Sequence, residues 1–232
     1  MIKAVFFDFY NTLATHQPPR ERVYAEVCKE LGIDVEPKRL FISLSEADMY
    51  MRQETSRLPM DKRSDQEKLE FYIEYVTRIL KGAGVDISRD TALQIIPGLQ
   101  KRRWELKICE DTLPALEQLK RRGLIIGLIS NVIQDMDSIF TRLGLQPYLD
   151  IRVTSGEVGH DKPEPEIFWV ALKKAGLPPG ETIYVGDQYE IDVNGARGVG
   201  MQAVLIDRNN YFPEITDCPR INSLTQVIEY IT

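Results

Sequence analysis

The sequence predicts an α/β fold, a parallel sheet with helices on both faces and a helical module inserted after the first strand. Three observations carry this. The run from Ile2 to Phe7 is almost wholly apolar and rich in aromatic and β-branched residues, which suits a strand buried on both faces. From about residue 108 onward, apolar runs of strand length alternate with segments of helical spacing. Between these regions, residues 18 to 106 show helical spacing and no convincing strand.

Each element has its own signal. In the inserted stretch, "ERVYAEVCKELG" has helical apolar spacing, and so does "SDQEKLEFYIEYVTRILKGAG". In the second, Leu69, Tyr72, Ile73, Val76 and Leu80 recur three or four apart, with Ser64 or Asp65 as N-cap and Gly82 near the end. The aromatics Phe71, Tyr72 and Tyr75 are expected to pack these helices against one another. Downstream, "DTLPALEQLKRRG" reads as a helix with an early proline and a closing Gly123, and "LIIGLIS" as a buried strand. "VIQDMDSIFTRLG" reads as a helix, "DIRVTS" as a strand, and "KPEPEIFWVALKKAG" as a helix ended by Gly176. "ETIYVGD" is a strand, "IDVNGARGVG" a short helix and "QAVLID" a strand. Ser223 and Gln226 stand at capping-box spacing before a last helix, "SLTQVIEYI". Residues 1–17 and 108–232 are therefore expected to form one core, and residues 18–107 a helical cap.

Composition narrows the function. The chain has 232 residues, 43% hydrophobic and 28% charged, enough apolar content for a sizeable core. Its net charge of −6 argues against a general nucleic-acid binder. Cys28, Cys109 and Cys218 are scattered and odd in number, with neither disulfide nor metal-ligand spacing, which fits a reducing cytoplasm. No apolar run approaches a membrane span, and the opening run is too short for a signal peptide. A soluble, cytoplasmic protein, monomeric or homodimeric, is expected.

Open parallel sheets bind ligands beyond the carboxyl ends of their strands. The polar residues fall there. Asp8 follows the first strand, Ser130 and Asn131 follow "LIIGLI", and Asp187 follows "TIYVG". Lys162 lies in "GEVGHDKPEP", just before a helix. A carboxylate can attack phosphorus and split one hard displacement into two. Two carboxylates near a phosphate call for a cation between them, and magnesium suits an oxygen-only site. A hydroxyl at a strand-to-helix junction can help to hold a phosphate, and a lysine supplies charge to a transferring phosphoryl group.

With "DFYNT", "LISN", Lys162 and "GDQYEID" in this order, the chain resembles the haloacid dehalogenase-like hydrolases. The resemblance implies a Rossmann-like core with a helical cap inserted between the first and second motifs. With its acidic fourth motif, the chain is expected to be a magnesium-dependent phosphatase, and a helical lid that encloses the crevice points to a small phosphorylated metabolite, of the sugar or triose phosphate class for example. Asp8 then resembles the nucleophile and a magnesium ligand, with the backbone carbonyl of Tyr10 a second ligand. Asp187 resembles the acidic ligand of the fourth motif, and Asp192 its second acid, either on the metal through water or orienting other groups. Ser130 and the backbone of Asn131 resemble the phosphate grip and Lys162 the charge stabiliser, while Thr12 is expected to fix the nucleophile loop.

Tyr10 departs from the phosphatase pattern. The phosphatases of this family carry an Asp there as general acid and base, whereas tyrosine, with a reference pKa of about 10, is a poor base near neutrality. The dehalogenase branch does carry Tyr at this position, which makes a metal-independent 2-haloacid dehalogenase the alternative. An inactive binding relative is a third reading. That dehalogenase branch lacks the acidic pair of the fourth motif, and this chain has it, so phosphatase is the reading preferred. His16 and His160, each near a motif, are candidate stand-ins for the missing acid, although ordinary loop roles are expected of both.

Overall fold

The computed structural model describes residues 1–133 and 136–231. Its strands are β1 (Ala4–Phe7), β2 (Ala14–Gln17), β3 (Glu105–Ile108), β4 (Ile125–Ser130), β5 (Ile151–Thr154), β6 (Thr182–Gly186), β7 (Gln202–Ile206) and β8 (Arg220–Ile221). Its α-helices are α1 (Arg20–Glu30), α2 (Pro37–Arg57), α3 (Asp65–Gly82), α4 (Arg89–Gln100), α5 (Thr112–Arg121), α6 (Asp137–Arg142), α7 (Ser155–Val158), α8 (Pro165–Ala175) and α9 (Asn194–Gly198). The chain divides into two compact units, one of residues 1–15 and 106–232 and the other of residues 16–105.

The first unit is built on a six-stranded parallel sheet in the order β5-β4-β1-β6-β7-β8. β1 runs up its middle, with Phe7 level with Leu128 on one side and Val185 on the other. Its four residues are all buried, because alternate side chains enter two different cores. Val5 and Phe7 join Leu116, Leu128, Val185 and Val204 on one face, and Ala4 and Phe6 join Phe168, Tyr184 and Leu205 on the other. Phe6 needs space at its neighbour: a Cβ on Gly127 would stand 2.1 Å from the Phe6 ring. The glycine in "LIIGLIS" is therefore a close-approach site and no strand breaker.

Three elements differ from their sequence reading. The helix expected over residues 132–144 is only Asp137–Arg142. Val132 is instead tied to the start of α7, its carbonyl accepting from Gly156 N at 2.9 Å and Ser155 Oγ at 3.3 Å; Gln134 and Asp135 lie outside the described residues. The segment "IDVNGARGVG" begins as a wide π-type turn, Tyr189–Val193, before α9. The last element, Leu224–Tyr230, is a 3₁₀ helix, and it keeps the Ser223–Gln226 capping box.

The second unit is helical, and its core gathers Val27, Leu40, Leu44, Val76, Ile79, Leu80 and Ile95. Two short strands were missed, β2 and β3, four residues each and too brief for alternation to stand out. They pair with each other where the chain passes from one unit to the next. α3 starts at Ser64 with a complete capping box to Glu67. Its buried arc is wider than the sequence stripe, because α2 and α4 both pack on it. Phe71 and Tyr75 are buried and stack at 6.3 Å between ring centroids, whereas Tyr72, expected inside, is 37% exposed. Arg20 grips Asp48 with two nitrogens at 2.7 and 2.9 Å and reaches the Tyr75 hydroxyl at 2.6 Å; that hydroxyl donates to Asp48.

His16 belongs to this unit, with its ring edge-on to Trp104. Burial, and then the charge of Arg20, push its imidazole down from 6.5 to about 4. Between these values the unfolded chain binds a proton that the folded chain does not. Its contribution to stability is therefore complete above 6.5 and lost as pH falls toward 4. His16→Asn should flatten the stability curve across that window, read by urea unfolding at several pH values. Equal slopes in the two proteins would refute the assignment.

Candidate active site

The polar residues singled out in the sequence meet at the carboxyl ends of β1, β4 and β6. Asp8 is the first residue past β1, and its N–H donates to the carbonyl of Val185 at 2.9 Å. The strand thus carries its ladder bonding one residue further and orients the carboxylate. Lys162 reaches the centre from the loop between α7 and α8. It is only 4% exposed, and its Nζ donates to Asp8 Oδ1 at 2.6 Å, Asp192 Oδ1 at 2.7 Å and the Tyr184 hydroxyl at 2.7 Å. Three protons meet three acceptors. Asn131 sets the lysine's backbone: its Oδ1 accepts from Lys162 N at 2.7 Å and its Nδ2 donates to Lys162 O at 2.9 Å. Ser130 is buried at the end of β4.

Asp192 is fully buried. Oδ1 faces Lys162 and Tyr184, and Oδ2 accepts from Gln188 N at 3.0 Å. Its carboxylate lies flat against Gly186, where a Cβ would come within 2.3 Å of Cγ. Only glycine fits before Asp187, which explains the Gly-Asp pair. Asp187 differs from Asp192. Oδ2 accepts from Asn11 Nδ2 at 3.3 Å, whereas Oδ1 is buried without a hydrogen-bond partner. One oxygen from each of Asp8, Asp187 and Asp192 lies within 4.8 Å of the others.

Crowded, buried carboxylates hold their protons more tightly. Burial pushes Asp8 up to about 6 against the pull of Lys162. Burial, with the charges of Asp8 and Asp192, pushes Asp187 well above the ordinary carboxylate range. For Lys162 burial acts the other way, and the two carboxylates beside it outweigh burial and raise it.

The remaining positions are less uniform. Thr12 is fully buried, but its Oγ1 has no hydrogen-bond partner. Tyr10 packs its ring on the core edge-on to Phe9, 4.9 Å between centroids. His160 is exposed, and its Nδ1 is 2.5 Å from Glu164 Oε2. Two site residues were missed in the sequence. Asn11 adopts φ +56° and thereby turns its amide onto Asp187. A left-handed residue that is not glycine is most often Asn or Asp, so the "YNT" turn carried that signal. Tyr184 read as strand filler, and nothing in "TIYVG" marks its hydroxyl as the lysine's third partner.

Residues 2–200 match the model of a hydrolase family, the haloacid dehalogenase-like hydrolases. The chain belongs to that family. It is 30% identical over 211 residues to the human haloacid dehalogenase-like hydrolase domain-containing protein 3, spanning 88% of this chain and 82% of that one. It is 27% identical to a glyceraldehyde 3-phosphate phosphatase of Methanopyrus kandleri, over 91% of this chain and 86% of the relative. Among solved structures, a HAD phosphatase from Thermococcus onnurineus superposes with a TM-score of 0.57 at 26% identity, covering 99% of this chain and 98% of that one. The L-2-haloacid dehalogenase RSc1362 shares the fold, with a TM-score of 0.64 at 19% identity over 99% and 98% of the two chains. The chain is thus a hydrolase of the haloacid dehalogenase-like family, and the matched span contains Asp8, Ser130, Lys162, Asp187 and Asp192. Among its described residues no helix is long and apolar enough to cross a membrane.

Proposed function

We propose that this hydrolase is a magnesium-dependent phosphatase of small phosphorylated metabolites, with Asp8 as nucleophile. The observation that carries the reading is Asp187, a second buried carboxylate beside Asp8 with one oxygen lacking any partner. A buried carboxylate with a bare oxygen is costly unless a cation meets it. The donors fit such an ion: all are oxygens, and Asp8 and Asp187 would hold it. Asp192 fits less well, because both of its oxygens already serve Lys162, Tyr184 and Gln188. We assign Asp192 to holding Lys162. When bound, magnesium would offset the carboxylate charge and draw electron density from the phosphoryl oxygens.

The chain's own residues supply the rest. Asp8 attacks phosphorus, the ester oxygen departs, and water then cleaves the aspartyl phosphate to restore Asp8 and release phosphate. Lys162, held by Asn131 and Asp192, steadies the negative charge of the phosphoryl group. Ser130 stands at the end of β4 to hold a phosphoryl oxygen. A sugar or triose phosphate fits the class of substrate named for the Methanopyrus kandleri relative. A cytoplasmic location accords with three free, buried cysteines.

Tyr10 favours a second reading, a metal-independent 2-haloacid dehalogenase. The test is phosphate release from p-nitrophenyl phosphate, with magnesium and with chelator, beside halide release from 2-chloropropionate. Magnesium-dependent phosphate release without halide is the expected result; halide release indifferent to chelator would establish the second reading. Tyr10→Asp should raise phosphate turnover by about tenfold or more if the missing acid limits the rate. No gain in a folded variant would mean that the proton is handled elsewhere.

A further inference from the structure

We infer that Arg208 is a positioning residue for the nucleophile loop, anchoring it to the C-terminal segment through Asp111. The inference rests on the assignment of Asp8 as nucleophile. Arg208 lies just past β7, outside the residues that match the family. Its guanidinium faces the turn that follows Asp8. Nη2 donates to the carbonyl of Thr12 at 2.7 Å, and Nε lies 3.3 Å from the carbonyl of Asn11. Its third side donates from Nη1 to Asp111 Oδ2 at 2.9 Å. That same oxygen accepts from Ser223 Oγ at 2.9 Å and Leu224 N at 2.8 Å, at the start of the last 3₁₀ helix. A continuous chain of bonds therefore runs from the last 3₁₀ helix to the peptide groups that carry the Asn11 and Thr12 carbonyls.

Those two peptides matter because the turn is strained. Asn11 sits at φ +56°, a left-handed conformation that asparagine adopts more readily than other side-chain-bearing residues but still at a cost that outside contacts offset. With both carbonyls gripped, the Asn11 side chain is fixed toward Asp187 and the direction of the loop leaving Asp8 is set. Arginine suits the task because its planar fork serves two carbonyls and a carboxylate at once, whereas lysine presents a single ammonium.

The test compares Arg208→Ala and Arg208→Lys with wild type, by p-nitrophenyl phosphate kinetics in magnesium and by hydrogen exchange of peptides. For Arg208→Ala we expect kcat to fall about 10- to 100-fold with KM within about twofold, from misplacement and not from lost binding. Exchange should accelerate in residues 9–15 and stay unchanged in β4 and β6. Arg208→Lys should fall between, and millimolar guanidinium should restore part of the turnover of Arg208→Ala. Unchanged exchange in residues 9–15 would overturn the proposal, as would faster exchange spread across the sheet, which marks a general structural role. If Arg208→Ala fails to fold, Arg208→Lys is read by the same criteria. If wild type releases no phosphate, the phosphatase reading fails, and exchange alone decides whether Arg208 holds the loop.

Discussion

Replacing Asp8 with asparagine is expected to lower phosphate release by roughly 10⁴-fold or more, the scale of losing a covalent nucleophile. The amide cannot form the acyl phosphate, yet it keeps the size of the carboxylate. Its Oδ1 can still accept from Lys162 Nζ, now 2.6 Å from Asp8 Oδ1. Fold stability should hold or rise at neutral pH. Burial pushes Asp8 up to about 6, so the ionised carboxylate is carried at a cost that a neutral amide does not have. Kinetics and a thermal midpoint on the same preparation check both halves. Residual turnover near wild type would dismiss Asp8 as nucleophile, and a collapsed midpoint would mean that the side chain is chiefly structural.

Lys162→Met should damage both stability and activity. Lys162 is the one cation bonded directly to Asp8 and Asp192 among the described residues, at 2.6 and 2.7 Å, both of them buried. Removing one partner of a buried ionic cluster costs about 3–5 kcal/mol, because the charges left behind have lost their solvent and their counterion. Turnover should drop roughly 10²- to 10³-fold as the developing charge goes unmet. Adding Asp192→Asn should recover much of the lost stability while activity stays low, a coupling that a double-mutant cycle measures directly. If the two changes simply add, Asp192 is not the lysine's anchor.

The fold was legible because a central parallel strand must be apolar on both faces, and "AVFF" and the "IYV" of "TIYVG" are. The candidate site's geometry was legible where chemistry and position coincide: a carboxylate just past a buried strand, a Gly-Asp pair after another. The illegible parts depend on what a side chain meets. Tyr72 and Tyr75 have the same composition signal, and only the placement of α2 and α4 buries one and exposes the other. Nothing in "LISN" reveals that the Asn131 side-chain amide clamps the backbone of Lys162, 31 positions away. Tyr184 and Asn11 became visible only when distant strands brought their partners to them. Helix ends were misread where tertiary bonds outcompeted helical spacing, as at Val132.

The wide turn after β6 sets a limit on which changes in chain length this molecule can inherit. Gln188 O accepts from both Asp192 N, at 2.8 Å, and Val193 N, at 3.4 Å, so the five-residue turn Tyr189–Val193 is looser than an α-helical one. Deleting one of its residues would rotate the downstream chain by about 100°. Asp192 would swing away from both Lys162 and the niche left by Gly186. A substitution at the exposed Glu190 removes only its acceptor for Asn194 Nδ2, at 2.8 Å, but a deletion beside it would cut the lysine's tether. Insertions and deletions should therefore be rarer in this interval than its surface residues alone would lead one to expect, even between homologues of low identity.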